Sequence, residues 1–107
     1  MTSDTVILER TQELLDDPLI NGKNIDSKVR YLLRDEYLRR LAQYHRANSL
    51  LTQKYGMSFE EFVSHRIAQE ENFTWDVESD SMDWETAVSG AKTMERKLKT
   101  LQNEVDV

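Results

Sequence analysis

Tyr55-Gly56-Met57-Ser58-Phe59-Glu60-Glu61-Phe62 decides the fold, because it closes one helix and opens the next. Ser58 as N-cap and Glu61 three residues on form a capping box, and Met57 and Phe62 take the two places of a hydrophobic staple. Phe59, Phe62, Val63 and Ile67 then give this helix an apolar face, and the pattern fades near Glu70-Glu71-Asn72. Gly56 stands where a helix C′ residue takes positive φ. Upstream, Asp26 is an N-cap for a long helix whose Val29, Leu32, Leu33, Tyr37, Leu41, Tyr44, Asn48, Leu51 and Tyr55 recur at steps of three and four. From Ser27 to Tyr55 it spans about 43 Å at 1.5 Å per residue. Asp35 with Arg39 and Glu36 with Arg40 stand in the favourable acid-before-base order one turn apart.

Downstream, Phe73-Thr74-Trp75-Asp76-Val77 alternates apolar and polar, which predicts an extended strap or an edge offered to a partner. A last helix is expected to start within Ser79-Asp80-Ser81 and to carry Trp84, Ala87, Ala91, Met94, Leu98, Leu101 and Val105 as an a/d series. The first segment, Ser3 to Leu15, is a short helix capped by Ser3 or Asp4, cut off by Asp17-Pro18 and the turn pair Asn21-Gly22. The predicted class is therefore all-α: a long antiparallel helical hairpin resembling a coiled coil, with a short capped third helix and an N-terminal helical arm. Residues 1–24 are expected to be arm and connector, and residues 25–107 the helical domain.

Composition agrees. Three Gly and one Pro in 107 residues suit helices, and 32% charged residues mean that most of each helix faces water around a narrow core. No cysteine occurs, so a disulfide framework and thiolate metal sites are excluded. The Val6-Ile7-Leu8 run is far shorter than a signal-peptide core or a membrane span, so a cytoplasmic location is expected and no membrane partner. Net charge is −6 but unevenly spread. Lys28, Arg30, Arg34, Arg39, Arg40 and Arg46 face only Asp35 and Glu36 in their stretch, whereas Glu70 to Glu85 holds seven acids and no base. Such asymmetry points to charged partners or to pairing between the two segments.

No motif for catalysis stands out. His45 and His65 lie on different helices without ligand spacing, and the three glycines are too far apart to cradle phosphate. Asp76, Glu78 and Asp80 imitate the opening of a calcium loop, but Ser81 replaces its glycine and Ala87 its final glutamate. No catalytic residue, metal or cofactor is therefore expected. Two surfaces invite a partner. Trp75 and Trp84 among Asp76, Glu78, Asp80 and Asp83 suit a basic groove, unless both tryptophans are core. Arg30, Arg34, Arg39 and Arg40 could contact nucleic acid phosphates, although an acidic chain without a recognisable DNA-binding signature favours a solvated face instead.

Lys54-Tyr55-Gly56-Met57-Ser58-Phe59-Glu60-Glu61-Phe62, followed by an acidic linker and Met82-Asp83-Trp84-Glu85 at the head of an amphipathic helix, resembles small helical antitoxins of bacterial and archaeal toxin–antitoxin pairs. The likeness covers about half the chain and leaves residues 1–24 without a counterpart. It implies a non-enzymatic protein that occludes a cognate toxin, often an RNA-cleaving one with a basic active-site cleft. The alternatives are a self-associating coiled-coil assembly protein and a helical nucleic-acid-binding regulator. A homodimer is expected because two long amphipathic helices leave apolar stripes that a hairpin cannot cover.

Overall fold

The computed structural model describes residues 6–68 and 74–105, with side chains from 66–68 and 104–105 left aside. Four helices account for most of them: α1 (Glu9–Leu15), α2 (Ile25–Tyr55), α3 (Phe59–Ala68) and α4 (Trp75–Val105). No strand occurs among the described residues, and the protein is all-α, with a long helical hairpin as its main feature. Among the same residues no helix is long and apolar enough to cross a membrane.

The chain divides into two compact units, residues 1–36 and 37–107. The boundary falls inside α2, whose first turns are tied back to the arm. Lys28 Nζ reaches Asp16 Oδ1 at 3.3 Å. In this first unit α1 is shorter than the spacing predicts. Leu8 occupies its N-cap without a side-chain cap, so Val6, Ile7 and Leu8 lie outside the helix. The proposed caps Ser3 and Asp4 fall outside the described residues. Asp17 then builds the turn, its Oδ1 accepting the Leu19 N–H at 2.9 Å and its carbonyl the Ile20 N–H at 2.9 Å. Asn24, and not Asp26, caps α2: its Oδ1 accepts the Ser27 N–H at 2.8 Å. Asp26 lies in the first turn and pairs with Arg30 Nε at 2.9 Å.

In the second unit the remainder of α2 runs antiparallel to α4. The register is set by side chains that step down α2 as they step up α4. Lys54 meets Asp80, Asn48 meets Trp84, Tyr44 lies against Gly90 and Tyr37 lies beneath Lys97. Gly90 is required by that approach, since a Cβ there would stand 2.6 Å from the Tyr44 ring. The a/d series is the packing seam, and Trp84, Ala87, Ala91 and Met94 are buried, whereas Leu98 and Leu101 are half-buried. On α2, Leu41 and Leu51 are half-buried and no residue is fully buried. Two helices touching along one stripe leave several seam residues open at their edges, and Trp84 is fully enclosed because Phe59 and Phe62 of α3 close over it.

The turn into α3 follows its local chemistry. Gly56 takes φ +66°, the left-handed conformation expected at C′. Ser58 Oγ accepts the Glu61 N–H and Glu61 Oε1 accepts the Ser58 N–H, both at 3.1 Å, closing the capping box. The Ser58 backbone N–H first, and then the Ser58 hydroxyl, hold the Glu61 carboxyl below its ordinary range. α3 is described as far as Ala68, and the predicted fade at Glu70-Glu71-Asn72 lies outside the described residues.

The predicted strap is a correction. Trp75, Asp76 and Val77 are helical and form the first turn of α4; Phe73 lies outside the described residues. Thr74 is the effective cap, its Oγ1 accepting the Val77 N–H at 3.3 Å and its carbonyl the Glu78 N–H at 3.0 Å. Asp76 and Glu78 in that first turn complement the positive end of the helix dipole, which favours a start here over Ser79-Asp80-Ser81.

Candidate functional site

The closed end of the hairpin is built around Trp84, which has no solvent exposure. Tyr55, Phe59 and Phe62 surround its ring at centroid distances of 5.7, 5.5 and 5.0 Å, and Tyr55 and Phe62 stand 4.9 Å apart. Burying roughly 200 Å² of indole contributes about 5 kcal/mol, and the offset ring contacts add to it. The one polar atom of the ring is satisfied, as Nε1–H donates to Asn48 Oδ1 at 2.7 Å. Asn48 thus serves the core.

Asp80 closes the rim of this cluster. Its Oδ2 accepts hydrogen bonds from Lys54 Nζ and Tyr55 Oη, each at 2.6 Å. The Lys54 hydrogen bond, then the Tyr55 one, holds the Asp80 carboxyl below its usual range, and the same contact pushes Lys54 up. Burial, with the carboxylate beside it, raises Tyr55 to about 12, so the phenol stays neutral and donating. Asp80 is consequently a structural clasp between α2 and α4, and much of its carboxylate is committed.

The six residues singled out for partner binding therefore separate. Trp84 is core and Asp80 faces inward. Trp75 is 78% exposed, and Met82, one heptad along, is 60% exposed. Asp76 and Asp83 are exposed, as is Glu85, while Glu78 is half-buried. What remains is an outward face at the N-terminal end of α4: two large apolar side chains between acids, with no base from Trp75 to Glu85. Sequence alone does not isolate Met82 as an anchor; its spacing of seven from Trp75 is the signal, and it becomes legible only once Trp75 is known to be helical.

The basic residues separate too. Arg30 is half-buried and paired with Asp26, while Arg34, Arg39 and Arg40 are exposed. Arg39 and Arg40 are adjacent, so they project about 100° apart on the helix and share no single stripe. At the open end of the hairpin, Tyr37, Arg96, Lys97, Thr100 and Leu101 line a shallow basin, with Lys97 Nζ 5.8 Å from the centroid of the Tyr37 ring. The acidic stretch of α4 does not lie opposite the basic stretch of α2: the antiparallel register sets Asp80 beside Lys54 and Lys97 beside Tyr37. The second unit is acidic at its closed end and basic at its open end.

Among the described residues no group of three or more His, Asp or Glu side chains is placed to hold a metal ion. No family model, no curated protein and no solved structure matches the chain.

Proposed function

We propose that this chain is a non-enzymatic protein-binding module of antitoxin type, which neutralises a cognate basic partner by covering its cleft with the outer face at the start of α4. The observation that carries this reading is Trp75, 78% exposed at the head of a stable helix and flanked by acids. Exposing a tryptophan is costly for an isolated chain, and a large aromatic side chain beside single-sign charge is the combination that gives an interface its anchor and its steering. Met82 enlarges the anchor with a side chain that adapts to irregular surfaces. Support from the sequence is the capped helix start at residues 54–62 and the Met82-Asp83-Trp84-Glu85 opening, which resemble such antitoxins. Of the tryptophans, Trp75 acts at the partner surface and Trp84 holds the face in place from behind.

The test is co-purification and binding kinetics with the protein encoded by the neighbouring gene. Trp75→Ala is expected to speed dissociation at least tenfold. Replacing Asp76, Asp83 and Glu85 by their amides is expected to slow association and flatten its salt dependence, with helicity unchanged. Full affinity in both variants would place the interface elsewhere and end this reading.

A further inference from the structure

The outer face of α4 carries a second heptad series, opposite the packing seam. Trp75, Met82, Ser89 and Arg96 recur every seven residues, and Ser79, Thr86, Thr93 and Thr100 follow each of them by four. All are exposed or half-buried. Spacing of four and three is what a helix presents to another helix, and the small side chains in the middle of the series permit close approach.

The flanking positions carry charge in a pattern that chooses the occupant. On one side of the series run Asp76, Asp83, Gly90 and Lys97; on the other run Glu78, Glu85, Lys92 and Lys99. Each flank is acidic in its first half and basic in its second. In an antiparallel pair of identical helices each flank meets itself in reverse. Asp76 then faces Lys97 of the second copy, Glu78 faces Lys99, and Glu85 faces Lys92, with every contact made twice by the two-fold axis. A parallel pair would instead set Glu78 against Asp83 and Lys92 against Lys97, like against like.

We infer that the chain pairs with a second copy of itself through this outer face of α4, antiparallel and centred between residues 87 and 88. In that register Trp75 of one copy lies over Thr100 of the other, at the basin lined by Tyr37, Arg96, Lys97 and Leu101. An indole there covers apolar surface from Leu101 and meets the Arg96 guanidinium, while Lys97, over the Tyr37 ring, faces Asp76 of the second copy. Both tryptophans are seated at once, because an isologous contact repeats itself. Self-association stands without any toxin; its consequence, that the pair masks Trp75 until a partner displaces the second copy, rests on the function proposed above.

The experiment uses the full chain alone, in sedimentation from micromolar to hundreds of micromolar. A monomer–dimer equilibrium that weakens with added salt is expected. An acid-reversed chain (D76K, E78K, E85K) and a base-reversed chain (K92E, K97E, K99E) should each self-associate about a hundredfold more weakly, since every flanking pair becomes repulsive. Mixed one to one, they should form a heterodimer at least as tight as the original pair, which also shows both to be folded. Orientation is read separately: with no native cysteine, Asn103→Cys can carry a spin label, and labels about 45 Å apart are expected, against about 10 Å for a parallel pair. A strictly monomeric chain, a reversed chain that dimerises unchanged, a mixture that stays apart or the short label distance would each overturn the inference. Toxin binding by a strictly monomeric chain would overturn it while leaving the proposed function intact.

Discussion

The two units of this chain obtain order by different means. In residues 37–107 a ring of Tyr55, Phe59 and Phe62 encloses Trp84 completely, and the seam continues through Ala87, Ala91 and Met94. In residues 1–36 only Leu15 is buried among the described side chains, while Val6, Leu8, Leu14 and Leu19 are between 67% and 81% exposed. There the backbone is shaped by local devices: the Asp17 turn, the Asn24 cap and the Lys28–Asp16 ion pair. Local hydrogen bonds choose a conformation but contribute about 1 kcal/mol each, whereas burial of one indole contributes several. The first unit is specified without being strongly stabilised, and the second is both.

The largest effect expected from any single substitution follows from that contrast. Trp84→Ala should cost about 3 to 5 kcal/mol, through lost transfer energy and the cavity left among three rings. Asn48→Ala should cost about 1 to 3 kcal/mol, since it strands a buried indole N–H without a partner. Chemical denaturation monitored by tryptophan fluorescence measures both. A loss below about 1 kcal/mol for Trp84→Ala would mean that the aromatic cluster is not what holds the second unit.

How much of this was open to reading depends on how local the cause is. The turn at Gly56 and the box at Ser58–Glu61 involve neighbours in sequence, so residue type and spacing suffice. The seam is legible because 84, 87, 91 and 94 repeat, and that membership places Trp84 inward more firmly than its acidic neighbours place it outward. Thr74 carries the start signal of α4. A threonine followed by Asp76 and Glu78 marks a helix start, but the alternation of Phe73, Trp75 and Val77 imitates a strand over so short a run. Asp80 could not be read at all. Its partners, Lys54 and Tyr55, are 26 and 25 residues away, and only the folded hairpin brings them within 2.6 Å.

A smaller effect sharpens the comparison from the other side. Asn24→Ala removes the side-chain cap of α2 and should cost the first turns about 1 kcal/mol. Amide exchange is the suitable measurement, because the change is expected as faster exchange at residues 26–30 with the denaturation midpoint of the second unit unmoved. Slowed or unchanged exchange there would show that the first unit is held by more than its caps.

The smallest effect is a pH dependence with one sign at each end of the scale, and both arms run through Asp80. Its carboxyl is held below the ordinary value in the folded chain, first by the Lys54 hydrogen bond and then by that of Tyr55. A carboxyl lowered by folding stabilises the fold above its unfolded value, near 4, and that contribution is lost as pH falls through the lower, folded value. Tyr55 works in the opposite direction. It is raised from 10 to about 12, so its contribution is complete below pH 10 and is lost as pH rises toward 12, where the folded phenol would ionise beside a carboxylate. Because Lys54 is more than half exposed and Asp80 sits at the rim, water screens the pair, and Asp80→Asn should cost only about 1 kcal/mol at neutral pH. The variant should also flatten the melting temperature against pH at the acid end, while its alkaline arm persists in part, since burial remains the largest cause of the Tyr55 shift. If the acid arm is as steep in Asp80→Asn as in the parent, the proton responsible belongs to another carboxyl, and Glu61 in its capping box is the first to test.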